Sequence, residues 1–398
     1  MSFSPPARVL ADPQAALEAA EGVARGFAAR AALGDEAGRF LEEDLSELRS
    51  AGLLGLMVPN SLGGPGASFA DYIGVAMALA KGNGAPALVF NMHASVTGAL
   101  ALTSDELARS LGAGPGYFTA RDAALRAASE GAFYAVAMSE RGAGARLSAL
   151  TTSYRRDADG FHVTGSKSFV SGADRADAYL VAARAEEDAA KVSYFLVPAG
   201  AGTTVEQTWD SLGMRATGSN DLHLDAKVAP EALLGGVEGL GLLIAQLMPQ
   251  WLVASYAAVY VGVARASLDA AVAHLNERSL SRLPAVRARV GRADAAISAA
   301  ELVVLEAARR VDEAPGTPET NRFVYRAKLL AGDTAAEVAT SMLEAAGASA
   351  TRRGHPLERL YRDARCGALQ PATSDVCADW LGLAALGIEP NSSETPRW

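Results

Sequence analysis

Apolar positions fall into three textures along the chain. Up to about residue 130, Leu, Val and Phe recur at helical spacing among Ala and Glu, which predicts helices over 12–33 and 36–51. Asp12 followed by Pro13 is a helix-start signal, a capping carboxylate ahead of a proline at the first helical position. Between helices, Met57-Val-Pro-Asn-Ser-Leu-Gly-Gly-Pro-Gly66 reads as a loop on its Gly and Pro content. From about Ala132 the apolar runs shorten to strand length, at 133–138, 150–156, 160–164, 178–182, 192–197 and 221–225. Turn residues at 157–160, 171–174 and 198–202 separate them, which predicts a small β-barrel or sandwich of about one hundred residues. After Pro230 the helical period returns over 240–276, 285–312, 322–346 and 376–386. A β-domain inserted between two helical regions is an unusual plan, with no solenoid repeat and no low-complexity tail.

A chain of 398 residues is long enough for two or three packed units, and its 50% hydrophobic content with abundant alanine favours helices. The net charge is −9 and the basic residues form no block, which argues against nucleic acid as a partner. Cys366 and Cys377 are the only cysteines, so a disulfide framework is not expected and a reducing compartment fits. No apolar run approaches the roughly 20 residues of a spanning helix. The first residues lack the basic region and apolar core of a signal peptide, so a cytoplasmic protein without membrane contact is expected.

Five ordered motifs carry a family resemblance. They are Leu48-Arg-Ser-Ala-Gly-Leu-Leu-Gly-Leu-Met-Val-Pro59 with Gly63-Gly64, and Tyr134-Ala-Val-Ala-Met-Ser-Glu140 with Gly142-Ala-Gly144. Then come Gly165-Ser-Lys-Ser-Phe-Val-Ser-Gly172, Leu212-Gly-Met-Arg-Ala-Thr217 with Val228 and Pro230, and Pro356-Leu-Glu-Arg-Leu-Tyr-Arg-Asp363. In this order and spacing the chain resembles the acyl-CoA dehydrogenase superfamily of flavoproteins. The resemblance implies an α+β, mostly helical fold. Its parts would be an N-terminal helical domain (1–131), a central β-barrel domain (132–230) and a C-terminal four-helix-bundle domain (231–398).

The resemblance also implies FAD, with FMN as the alternative. A flavin ring needs a flat apolar cleft, an aromatic wall and hydrogen bonds to its ring atoms. By position, Phe169 matches the aromatic residue on the ring face and Ser171 the hydroxyl at flavin N5. Ser139, beside Met138, matches the contact to the ring edge. Gly172 follows Ser171 as it does in the related flavin-dependent monooxygenases. Thr373 and Asp375 fall where the family touches the cofactor, although Asp375 also reads as the N-cap of the last helix. In the family the adenine half is gripped by a neighbouring subunit. The corresponding positions are altered here, with Arg278, Arg287, Glu344 and Gly347 in their place. A homodimer or homotetramer is implied.

The chemical site departs from the family. The glutamate that removes the substrate α-proton falls on Pro371, and its alternative helical location falls near Trp251–Leu252. Neither position holds a carboxylate. Gln250, Trp251 and Pro371 are candidates for the substrate pocket. His93, in Phe90-Asn-Met-His-Ala-Ser95, is the candidate catalytic base, since imidazole titrates near neutral pH; a structural role is its alternative. Ala145 replaces the family serine of the Gly-Ala-Gly-Ser element, and Arg146 after it is a candidate for holding phosphate. The first expectation is a flavin-dependent oxidoreductase acting on an acyl thioester, with electron-transfer flavoprotein as partner. The second is a two-component monooxygenase served by a flavin reductase. The third is a flavin-binding scaffold without catalysis.

Overall fold

The computed structural model describes residues 10–251 and 253–388. Helix α1 (Pro13–Ala37) starts where Asp12 accepts a hydrogen bond from the Ala15 amide at 2.8 Å, and ends at Gly38, whose left-handed φ of 62° reverses the chain. The expected second helix therefore begins later than its apolar period suggests, as α2 (Glu42–Ser50). Helix α3 (Phe69–Gly82) is capped twice: Ser68 and Asp71 form a reciprocal capping box, and the Asp312 carboxylate accepts from the Phe69 and Ala70 amides. Helices α4 (Gly84–Leu102), α5 (Asp105–Ser110) and α6 (Pro115–Ser129) complete the first helical region.

The central strands are β1 (Tyr134–Ala137), β2 (Ser153–Asp157), β3 (Gly160–Val170), β4 (Ala178–Ala185), β5 (Val192–Pro198), β6 (Thr203–Glu206) and β7 (Asn220–Val228). They form one curled sheet in the order β1-β4-β2-β3-β7-β6, with β5 along β4. The barrel is left open between β5 and β6, since no ladder joins them among the described residues. Strand β6 was not expected. It is a polar edge strand of four residues, Thr-Thr-Val-Glu, with little apolar pattern to announce it.

Helix α7 (Gly241–Leu247) stops at Met248-Pro249, so the single helix expected over 240–276 is two, the second being α8 (Ala254–Glu277). With α9 (Pro284–Glu313), α10 (Pro318–Ala346), α11 (Pro356–Arg365) and α12 (Ser374–Ala385) it makes the C-terminal bundle, in which α10 packs on α8, α9 and α12. Helix α4 and the stretch Pro249–Glu277 are apolar and long enough to cross a membrane by length and composition, contrary to expectation. Of an 18-residue apolar window in each, more than four-fifths (83% and 82%) is buried inside the protein, as in core helices.

Two close approaches place the elements that matter for the site. A Cβ on Gly262 of α8 would lie 2.7 Å from the Met77 carbonyl, so only glycine lets α8 lie this near α3. The segment after α11 is held likewise: a Cβ on Gly332 of α10 would meet the Gly367 carbonyl at 2.9 Å, and the buried Lys328 ammonium donates to that carbonyl at 2.7 Å. One arginine joins all three regions. Arg362 on α11 bonds both Asp35 oxygens (3.0 and 2.6 Å), Glu358 (2.7 Å) and the Leu212 carbonyl (3.0 Å). Its neighbour Asp363 accepts from the Met214 amide at 2.6 Å.

Candidate active site

Where the curled sheet meets the two helical regions, two connected hollows open. The wider, of about 540 Å³, lies between the ends of β1 and β3, the 209–219 segment and residues 366–380. The smaller, of about 110 Å³, reaches between α4, β1, β4, α7 and the start of α8. Ser139, Ala145, Phe169, Tyr256 and Pro371 line both and mark their junction.

Phe169 sits at a break in the β3–β7 register, with φ at 60°. A bulky non-glycine residue in the left-handed region is strained, and here the strain turns the ring out of the sheet. The ring is 62% exposed and meets Trp209 edge-on at 6.0 Å. It offers a flat apolar face to the hollow.

Ser171 lines the wider cleft, buried, in a row of hydroxyls. Thr217 Oγ1 donates to the Met214 carbonyl at 2.9 Å, so in its 2.7 Å bond with Ser219 it accepts. Ser219 then has no proton left for Ser171, which must donate across their 2.8 Å contact. The Ser171 oxygen is left as an acceptor toward any occupant of the cleft.

Behind this wall lies a buried ion pair. Lys167 Nζ reaches Glu140 at 2.8 Å and the Met138 carbonyl at 3.2 Å, while Glu140 also accepts from the Thr151 and Thr152 amides. Burial draws the Lys167 ammonium down to about 8, against the pull of Glu140. Burial pushes the Glu140 carboxyl upward, but the Lys167 charge and the Thr151 bonds outweigh it and hold it at about 2. The pair ties the end of β1 to β3 and so fixes Met138 and Ser139 beside Phe169.

Of the residues singled out from sequence, Met138, Ser139, Phe169, Ser171, Trp251, Thr373 and Pro371 line one hollow or both. Others do not. His93 lines neither hollow: its Nδ1 accepts from the Tyr134 amide at 3.0 Å and its Nε2 donates to the Leu54 carbonyl at 2.7 Å. The ring stacks on Phe133 and is 1% exposed, and burial lowers its pKa to about 4. With no free nitrogen it is a strut between α4 and β1, and the expectation of a base is corrected. Gln250 is buried outside the cavity lining, its Oε1 without a partner, which corrects its assignment to the pocket.

Gly172 also lies outside the lining. Its φ of 69° and a would-be Cβ 2.9 Å from Val89 show a tight backbone turn that glycine alone fills, directly after Ser171. Asp375 is exposed at the second position of α12; the N-cap is Thr373, which accepts from the Val376 amide at 3.3 Å. Glu344 and Gly347, at the end of α10, line neither hollow of their own protomer, and Glu344 bonds Arg289 at 2.6 Å.

Sequence reading missed Tyr256, Trp209, Ser219 and Trp380. Of these only the aromatic residue types carried any signal. No Asp, Glu, His, Lys or Arg is among the described residues lining the smaller cavity, and Arg146 is the one charged residue lining the wider cleft. Cys366, also in the cleft, is pushed up to about 12 by burial and stays a thiol.

A curled sheet between two helical regions, with a cleft at strand ends facing a C-terminal bundle, defines the three-domain class of flavoprotein-type oxidoreductase folds. Sequence profiles agree: those of the acyl-CoA dehydrogenase N-terminal, middle and C-terminal domains match residues 13–110, 135–226 and 254–374. The chain belongs to the acyl-CoA dehydrogenase family. It is 30% identical to the putative acyl-CoA dehydrogenase YdbM of Bacillus subtilis (strain 168), over 91% of this chain and 94% of that one. Among solved structures it is similar to FMN-bound TdsC, a dibenzothiophene monooxygenase from Paenibacillus sp. A11-2. That likeness has a TM-score of 0.83 and 26% identity over 96% of this chain and 98% of that one. It is similar also to butyryl-CoA dehydrogenase from Megasphaera elsdenii, with a TM-score of 0.82 and 26% identity over 94% and 98%.

Proposed function

We propose that the protein is a flavin-dependent monooxygenase of this family that acts on a small molecule. The observation that carries the reading is the absence of any ionisable base among the described residues lining the smaller cavity. Desaturation of an acyl thioester needs a group to take the α-proton, positioned within hydrogen-bond reach of it. Of the residues at the junction with the cleft, Ser139, Ala145, Phe169, Tyr256 and Pro371, none accepts a proton near neutral pH; burial raises the Tyr256 phenol to about 12.

A flavin fits the wider cleft. Its volume is within the range of cofactor sites, Phe169 supplies an apolar wall, and Arg146 is a cation for a phosphate. When bound, the flavin supplies the two-electron chemistry. This chain's residues do the rest. Ser171, left as an acceptor, suits the hydrogen-bearing ring nitrogen of a reduced flavin better than the bare nitrogen of the oxidised one. The apolar walls of the smaller cavity exclude water beside it. In the reaction one oxygen atom of O₂ enters the substrate and the other leaves as water, with two electrons from reduced flavin and two protons. A separate flavin reductase using a nicotinamide would renew the reduced flavin, and a second copy of the chain would meet the adenosine half if the flavin is FAD. The dehydrogenase reading, with electron-transfer flavoprotein as acceptor, is the alternative that the likeness to butyryl-CoA dehydrogenase keeps in view.

The test pairs two reactions. Flavin-loaded protein, reduced and mixed with ¹⁸O₂ and indole or single-ring ketones, should yield product carrying one labelled oxygen. Oxidised flavin bleached anaerobically by a saturated acyl-CoA, with no labelled product in the first reaction, would overturn the reading.

A further inference from the structure

The hydroxyls around the smaller cavity are unequally engaged. Ser95 donates to the Asn91 carbonyl at 2.8 Å, with the Trp251 carbonyl as a further acceptor, and Tyr194 donates to the Gly241 carbonyl at 3.1 Å. Tyr256 differs. Among the described residues its hydroxyl has just the weak Met92 sulfur, 4.0 Å away, although burial keeps the phenol protonated. The Trp251 indole N–H, buried in the same wall, has no partner at all. A buried donor without an acceptor is destabilising unless an occupant supplies one. The indole N–H can only donate, the half-buried Tyr256 hydroxyl has a proton to give, and no charged side chain is among the described residues lining the cavity. Tyr256 also stands at the junction with the wider cleft, on a helix pinned against α3 through Gly262. The remaining junction hydroxyl, Ser139, is at the end of β1 beside the flavin wall.

We propose that the smaller cavity takes an uncharged, largely apolar molecule of about one ring bearing a hydrogen-bond acceptor, and that the Tyr256 hydroxyl donates to that acceptor. This rests on the monooxygenase reading for its reaction but not for its binding test. The size is bounded by the cavity's volume of about 110 Å³ together with its opening at the junction into the wider cleft, into which one end of a substituted ring can extend; closed on itself, a dry apolar cavity that holds a benzene ring is roughly 150 Å³. The absence of charge follows from the lining, because a carboxylate or phosphate would be buried without a counter-ion. The acceptor follows from the two unmatched donors. Tyr256, at the junction, would thereby turn the acceptor-bearing end of the molecule toward the reacting centre, as a specificity-determining residue.

Titration calorimetry on the flavin-loaded protein tests this with three probes of nearly one shape: acetophenone, cumene and benzoate. Acetophenone should bind about tenfold more tightly than cumene, the worth of one neutral hydrogen bond in a dry site. Benzoate should bind at least about a hundredfold more weakly than acetophenone. In Tyr256→Phe the preference for acetophenone should vanish while the cumene affinity stays within twofold, which also shows that the cavity still forms. A preference that survives Tyr256→Phe but is lost in Trp251→Phe would overturn the assignment to Tyr256. Failure of both acetophenone and cumene to bind, or tight benzoate binding, would overturn the substrate class. The oxygen-labelling experiment can fail while these affinities hold, so the two readings fall separately.

Discussion

The imidazole of His93 is held neutral because both nitrogens are matched to backbone groups and the ring lies between Phe133 and Tyr134. Burial, reinforced by the nearby Arg49 charge, outweighs the bond to Leu54 and sets its folded pKa near 4, below the usual 6.5. A depressed base favours folding while it stays neutral. Its contribution is therefore fully present above about pH 6.5 and is lost as pH falls from there toward about 4. The shift corresponds to something on the order of 3 kcal/mol. His93→Ala should lower stability at neutral pH by about 2–4 kcal/mol, from the cavity and the two backbone groups left unmatched. It should also flatten the melting-temperature profile between pH 6.5 and 4 relative to the parent, while turnover per folded molecule holds. Thermal melts across that range check both, and an unaltered slope would contradict the account.

At the scale of elements, the cavity wall is set by how closely α4 approaches the residues ahead of α8. A Cβ on Gly98 would stand 2.3 Å from the Trp251 ring, so the indole lies flush on a bare patch of helix. Trp251 also packs against Phe69, edge-on at 5.1 Å, and against Tyr72 at 6.5 Å, so it is hemmed in by aromatic neighbours. Gly98→Ala should therefore cost about 1–3 kcal/mol through overpacking, despite the better helix propensity of alanine. Because Trp251 lines the cavity, the displaced ring should also weaken cumene binding. Denaturant melts and the same calorimetry measure the two effects. A more stable variant with unchanged binding would show that the contact relaxes elsewhere.

For the whole molecule, the junction between domains is polar as well as apolar. Arg362 is 7% exposed and joins α1, the 212–214 turn and α11, so its removal strands Asp35 and Glu358 in a half-buried cluster. Breaking a buried pair from one side costs about 3–5 kcal/mol; the partial exposure of the two carboxylates puts Arg362→Leu near the lower end, at about 3 kcal/mol. Since the lost bonds run between domains, unfolding should separate into more than one calorimetric transition. Arg362→Lys should not restore a single transition, because an ammonium cannot bridge Asp35, Glu358 and the Leu212 carbonyl together. A single sharp transition in Arg362→Leu would mean that apolar packing alone couples the domains.

The order of helical region, sheet and bundle was legible in the chain because periodicities of about 3.6 and 2 are local properties, written within a dozen residues. So were the Asp12 cap and the family motifs. Local signals also misled in a consistent way. The 240–276 helix breaks at Met248-Pro249, and the polar β6 pairs only because β7 lies beside it. Ser139, Phe169 and Pro371 were placed by motif, but their meeting with Tyr256 at one junction depends on chain segments up to 232 residues apart (139 to 371). The sequence left His93 open between base and structural group, and gave no sign of Tyr256. A residue type states what a side chain can donate or accept. Whether that capacity is already used is decided by distant groups: the Leu54 and Tyr134 backbone for His93, and for Tyr256, among the described residues, just the weak Met92 sulfur.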